Sequence, residues 1–169
     1  FKKQRTAFTL IEALVYITLM SITLVSIVTL MYWILDSRSK TQVIAEVESQ
    51  SVLAIDEISQ RIRNATGINS PTPGNSSSTL SLVVSDGAKN PTIIDLSAGV
   101  IRIKEGVSSE VPITTARLSI TNLTFQNVTR VGTPGSMKIN FTTSYVNPAN
   151  TKVFDYSKNY YFAANPRGY

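Results

Sequence analysis

The sequence predicts an α+β protein in which a long N-terminal helix, transmembrane in its first half and amphipathic in its second, packs on a C-terminal antiparallel β-sheet. Three observations carry this expectation. Ala13 to Leu35 is a run of 23 residues without a charge. Ile44, Val47, Ser51, Ile55, Ile58 and Ile62 then recur at spacings of 3, 4, 4, 3 and 4, one face of an amphipathic helix. Beyond Gly67 the texture changes to short β-rich runs separated by turn residues. The chain therefore divides into a basic lead over 1–7, a membrane-length segment over 8–35, an amphipathic segment over 36–67 and a β-rich head over 68–169.

Composition narrows the chemistry. A chain of 169 residues with 43% hydrophobic content has room for one domain and an accessory segment. It contains neither cysteine nor histidine. That removes disulfides, thiol nucleophiles, the usual zinc ligands and the commonest general base. No enzyme activity, catalytic residue, cofactor or metal is expected. Lys2, Lys3 and Arg5 provide three of the 16 cations; setting them aside leaves 13 against 11 acids, so the formal charge of +5 is partly a property of the N-terminus. A nucleic-acid partner is only weakly suggested by such a distribution.

A helix of 23 residues rises about 35 Å, enough to cross the hydrocarbon core. Its interior holds no Gly or Pro, and the hydroxyls of Thr18, Ser21, Thr23, Ser26 and Thr29 can bond back to the preceding turn. Tyr32 and Trp33 stand at its far end, where amphipathic rings prefer the headgroup layer. Basic residues before the run and aromatic ones after it predict a cytoplasmic N-terminus, with everything after Asp36 outside. A secretory signal peptide fits less well, because its apolar core is shorter and ends in a cleavage site. Here the helix continues: Glu46, Glu48, Asp56, Glu57, Arg61 and Arg63 fill its polar side, and Asn64-Ala65-Thr66-Gly67 followed by Pro71 and Pro73 reads as its stop. A single helix from Phe8 to Asn64 would be about 85 Å long.

After a polar loop over Ser70–Thr79, strands are expected at Leu80–Val84, Thr92–Leu96, Val100–Lys104, Leu118–Val131, Met137–Tyr145 and Val153–Phe162. Met137, Ile139, Phe141, Thr143 and Tyr145 share one face of the fifth. The expected sheet has about five to seven strands and packs on the Ile face of the helix.

The basic lead, the small Ala7, the stretch Phe8-Thr9-Leu10-Ile11-Glu12 and the apolar helix behind it resemble the N-terminal processing and methylation motif of bacterial type IV pilins and the related pseudopilins of type II secretion. The likeness is close over residues 2 to 35, and the helix-plus-sheet layout extends it across the chain. Ile58-Ser-Gln-Arg-Ile-Arg-Asn-Ala-Thr66 is more loosely similar to the J-type minor pseudopilins. The resemblance implies the pilin fold, and cleavage after Ala7 by a prepilin peptidase with methylation of the Phe8 amine; a start at Phe1 is the alternative new N-terminus. It further implies a subunit first held in the cytoplasmic membrane, then extracted by an assembly platform and its ATPase into an extracellular homo-oligomeric filament, with minor pilins as possible companions. Such filaments serve adhesion, motility, DNA uptake or secretion. Leu10, Ile11, Leu14, Val15, Ile17 and Leu24 would pack between helices. Glu12 would pair with the Phe8 amine of a neighbouring subunit, which gives a reason for an acid that costs about 2.5–3.5 kcal/mol at mid-bilayer depth. The chain departs from the family in three places: Ala7 stands where Gly is usual, the membrane helix lacks the usual proline, and no C-terminal disulfide loop is possible.

Other motifs are plainer. Sequons occur at Asn64, Asn75, Asn122, Asn127 and Asn140, and only Asn75 is expected to be exposed without disturbing a strand. Asp56 and Glu57 are neighbours on a polar helix face with no sign of a pocket. Tyr156, Tyr160, Tyr161 and Tyr169 with Lys152, Lys158 and Arg167 are a weak candidate for binding single-stranded DNA.

Overall fold

The computed structural model describes residues 9–130 and 135–167. The class is α+β: one helix, α1 (Leu10–Asn64), followed by antiparallel strands. The chain forms two compact units that divide between Lys40 and Thr41.

In the first unit α1 is unbroken, as expected of a stretch with no Gly or Pro. None of the apolar side chains from Leu10 to Leu35 is buried.

The second unit contains the core. Among the described residues nine strands form two sheets, where one sheet of five to seven strands was expected. The first sheet has the order β1-β3-β4-β5-β6, with β1 at Gly67–Ser70, β3 at Leu80–Val83, β4 at Thr92–Ser97, β5 at Val100–Glu105 and β6 at Val111–Pro112. The second has the order β2-β7-β8-β9, with β2 at Ser76–Ser77, β7 at Leu118–Asn127, β8 at Met137–Tyr145 and β9 at Ser157–Ala164. The expected strand over Val153–Phe162 begins instead with a 3-10 turn at Lys152–Phe154. The expected strand over Leu118–Val131 ends at Asn127, and Val131 lies outside the described residues.

The helix stripe that meets these sheets is Val43, Val47, Ser51, Ala54, Ile58 and Ile62. Ile44 and Ile55 are only partly buried, so the stripe is turned slightly from the one expected. Ala54, with no side chain beyond Cβ, lets the helix lie close. Ile58 and Ile62 enter one apolar cluster with Leu80, Leu82, Ile94, Ile101 and Ile103 of the first sheet and Ile120, Phe125, Ile139 and Phe141 of the second. Ser51 is fully buried, and its hydroxyl donates to Thr143 Oγ1 at 3.0 Å. A polar tie of this kind inside an apolar seam selects one helix placement, because any shift leaves two buried hydroxyls unpaired. Lys158 to Glu48 (2.6 Å) and Arg117 to Glu46 (3.5 Å) flank the same helix at the surface. The hydrogen bond from Lys158 to the Glu48 carboxylate raises the lysine pKa. Its contribution is fully present at neutral pH and disappears only as the pH rises through the raised lysine value.

Register is set by special backbone positions. Ala98 and Gly99, both at positive φ, make the two-residue hairpin between β4 and β5. The Gly99 carbonyl accepts from the Ile120 amide at 2.8 Å and joins the two sheets. In β7, Asn122 at φ 55 and Leu123 together oppose the single residue Phe141 of β8. This bulge resets the alternation, so that Leu118 and Ile120 before it and Leu123 and Phe125 after it all face the core.

The Ser51–Thr143 pair yields a test of the packing. Ser51→Ala should destabilise the full chain in detergent micelles by about 1–3 kcal/mol in denaturant unfolding, while Ser51→Ala/Thr143→Val should return to within about 1 kcal/mol of the parent. A double variant no better than the single one would show that the hydroxyl pair does not set the seam.

Candidate functional site

The residues singled out by the sequence lie on the first two turns of α1 and along its apolar length. Thr9 precedes the helix, and its Oγ1 accepts from the Glu12 amide at 3.3 Å. That is the capping arrangement of a Thr-x-x-Glu segment: the hydroxyl satisfies one of the four amides a helix start leaves unpaired. Glu12 is also the acid of the first turn, where a negative charge opposes the helix dipole. One turn further, the Tyr16 hydroxyl donates to Glu12 Oε1 at 3.4 Å. Glu12 thus has a local structural role beyond the one expected of it, and the Thr9-Leu10-Ile11-Glu12 spacing is the signal that announces it. Ala7 and Phe8, and the alternative start Phe1, lie outside the described residues.

Every side chain assigned to helix packing is open to the surroundings. Leu10 is 81% exposed, Ile17 62% and Leu24 64%, and Ile11, Leu14 and Val15 are exposed as well. The exposure continues through Met20, Ile27, Met31, Trp33 and Leu35 on all sides of the helix. Covering a Val, Leu or Ile side chain completely is worth about 1.5–3 kcal/mol, so this surface left in water would forgo on the order of tens of kcal/mol. Soluble monomers rarely expose a contiguous apolar patch beyond a few hundred Å².

The polar groups inside this stretch are matched to an apolar medium. Thr18 donates to the Val15 carbonyl at 2.8 Å, Ser21 to Ile17 at 2.8 Å, Ser26 to Ile22 at 2.9 Å and Thr29 to Val25 at 2.9 Å. Thr23 donates to Met20 at 2.9 Å, with the Leu19 carbonyl at 3.1 Å. Each serine and threonine hydroxyl between Ala13 and Leu35 is thus bonded to a carbonyl of the same helix, and the backbone amides are bonded within the helix. Among the described residues this is the one helix long and apolar enough to cross a membrane.

Elsewhere the structure separates what the sequence grouped. Tyr160 turns inward and stacks on Phe141 with centroids 5.4 Å apart, and Lys158 stays with it, its Nζ 5.4 Å from the Tyr160 ring centroid and bonded to Glu48, but Tyr161 faces out at 74% exposure. Tyr169 lies outside the described residues. Glu57 pairs with Arg61 at 2.7 Å, and Arg61 also reaches Glu105. Among the sequons, Asn127 is buried and donates to the Pro71 carbonyl at 2.7 Å, which closes it to modification. Asn64, at the end of α1, is exposed in addition to Asn75, contrary to expectation, whereas the exposed Asn122 lies within β7. Among the described residues no group of three or more acidic side chains is placed to hold a metal ion.

The helix and sheets are compatible with a pilin-like architecture. Comparison with protein-family models, with curated proteins and with solved structures finds no match to this chain.

Proposed function

We propose that the chain is a structural subunit of a bacterial type IV pilus, and that it polymerises through its N-terminal apolar helix. The observation that carries this reading is a helix, apolar on every side and internally satisfied in its hydroxyls, joined to a unit that already has its own core. Such a helix has two stable surroundings, lipid and other helices of the same kind, and a filament subunit must occupy them in turn. In the membrane the apolar length spans the hydrocarbon core with Tyr32 and Trp33 at its outer boundary and Lys2, Lys3 and Arg5 on the cytoplasmic side. A prepilin peptidase then cleaves after Ala7, leaving those cations behind, and methylates the new Phe8 amine. On extraction, Leu10, Ile11, Leu14, Val15, Ile17 and Leu24 exchange lipid for neighbouring helices at little net cost, since both media are equally apolar.

That exchange does not by itself choose a register. Glu12 supplies the choice: in a water-excluding bundle a terminal ammonium and a carboxylate are each costly alone and stable together, so a subunit docks where its Phe8 amine meets the Glu12 of a copy already in place. A pseudopilin of a secretion system would use the same steps in a shorter filament. A tethered domain that does not polymerise would use Glu12 only locally, as the acid of the first turn and the acceptor of the Tyr16 hydroxyl.

Two variants separate pairing from the local role of the side chain. Glu12→Ala removes both the charge and the acceptor of the Tyr16 hydroxyl, whereas Glu12→Gln keeps an acceptor and removes only the charge; the bond from the residue 12 backbone amide to Thr9 Oγ1 survives in both. The pairing mechanism predicts that both variants insert in the membrane at normal levels and both lose most sheared surface filaments. Wild-type filament yield from Glu12→Gln would reduce Glu12 to that local role.

The desolvation cost of Lys2, Lys3 and Arg5 favours Phe8 as the new N-terminus in any tightly packed filament. Intact-mass and N-terminal peptide analysis of purified filaments should return methylated Phe8. Peptides that retain Lys2 to Ala7 would overturn this register.

A further inference from the structure

We infer that the outward face of the β2-β7-β8-β9 sheet binds an acidic saccharide, a chain of uronic-acid type, with Tyr161 as its stacking platform and Lys138 as its carboxylate anchor. The inference is independent of how the N-terminal helix is used.

The strand register assembles this face from residues scattered along the sequence. Side chains opposite the core line up in rows across three strands: Gln126, Lys138 and Ala163; Thr124, Asn140 and Tyr161; Thr121, Thr142 and Asn159; Ser119, Ser144 and Ser157. In a sheet, neighbours within a row stand about 4.8 Å apart and successive rows about 7 Å apart. The first two rows, Ser76 of β2, and Ile139 and Phe162 from the intervening strand positions border an open depression of about 670 Å³. That volume is within the range of about 300–1,000 Å³ typical of small-molecule sites. The side chains of Gln126, Lys138, Asn140 and Tyr161 make no hydrogen bond, ion pair or ring contact to other described residues, whereas Thr142 and Asn159 in the next row bond each other at 2.8 Å. Donors and acceptors are therefore held open on rigid strands at one end of the face.

The chemistry of this set selects its ligand. A pyranose has an apolar C–H face and an edge of hydroxyls that both donate and accept. The exposed Tyr161 ring suits the first; the amides of Gln126 and Asn140 and the hydroxyl of Ser76, which also donate and accept, suit the second, while Thr124, whose hydroxyl donates to the Asn122 carbonyl at 3.3 Å, offers its oxygen as an acceptor. Lys138 is the only charged residue in the four rows, and no carboxylate stands among them to neutralise it. An anionic ligand is thereby favoured over a neutral one. One cation and one exposed ring are too few for a nucleic-acid strand, whose binding needs a track of positive charge and successive aromatics. Across the four rows Ser, Thr and Asn predominate and Tyr161 is the one large side chain with an apolar surface, fewer anchors than protein interfaces depend on.

The test is calorimetric titration of the full chain in detergent micelles with an oligogalacturonide, with a neutral malto-oligosaccharide of equal length, and with single-stranded oligothymidylate. The oligogalacturonide should bind, and the other two should bind at least about tenfold more weakly. Lys138→Gln should lower oligogalacturonide affinity at least about tenfold and remove the preference over the neutral chain. Tyr161→Ala should weaken both saccharides, and Lys104→Gln on the other sheet should change neither. Both site positions lie on the open face, and circular dichroism will confirm that each variant keeps the fold. Absence of oligogalacturonide binding, affinities unchanged in both site variants, or tighter binding of oligothymidylate would each overturn the proposal.

Discussion

A helix that is apolar on every side has no face reserved for its own protein, and the cost of leaving it in water governs how the rest of the chain is built. From Ala13 to Leu35 the side chains offer little that water can solvate, and the five hydroxyls of its serines and threonines return their hydrogens to carbonyls of the same helix. The segment is therefore stable in any medium without water and unstable in any medium with it. Its cohesion is internal, which lets it exchange one apolar environment for another without unfolding. Glu12, held at the first turn by Thr9 and Tyr16, is the one group in this region whose energy depends strongly on which apolar environment surrounds it.

The same constraint explains why the second unit is complete without help from the apolar stretch. Its core is closed by Ile58 and Ile62 from the helix and by both sheets, and the buried Ser51–Thr143 pair sets how that part of the helix sits. The small Ala54 and the bulge at Asn122 serve the same end: the first permits close approach, and the second keeps β7 in phase with the core along its length. On the proposed reading, transfer from lipid into a filament would carry this unit along unchanged, and the stability of its fold would not oppose the transfer.

The elements legible in the sequence are those whose signal is local. An uncharged run, a stripe at helical spacing and an Asn-Ala-Thr-Gly stop locate α1, and strict alternation locates β8 to the residue. The strands at Gly67–Ser70, Ser76–Ser77 and Val111–Pro112 are not legible, because they are short strands defined by the backbone of a partner and not by their own side chains. The alternation of β7 slips by one residue at Asn122, so counting in twos from Leu118 and Ile120 assigns Leu123 and Phe125 to the opposite face. Their shared face is visible only in the register. At the candidate site, the exposed apolar residues follow from composition. The capping role of Thr9 is present in the four-residue spacing but is hidden behind the more conspicuous acid in an apolar run. The polar rows around Tyr161 exist only once Gln126, Asn140 and Tyr161 are brought together by the sheet, and no segment of the chain contains them all.

The central claim is that the apolar helix is covered by other copies of itself. Cryo-electron microscopy of material sheared from cells producing the chain addresses it most directly. The account predicts filaments in which residues 10–35 of neighbouring copies contact one another, with Glu12 of one beside the N-terminal amine of the next. A chain found only in the membrane fraction, with no filament containing it in the sheared material, would contradict the account.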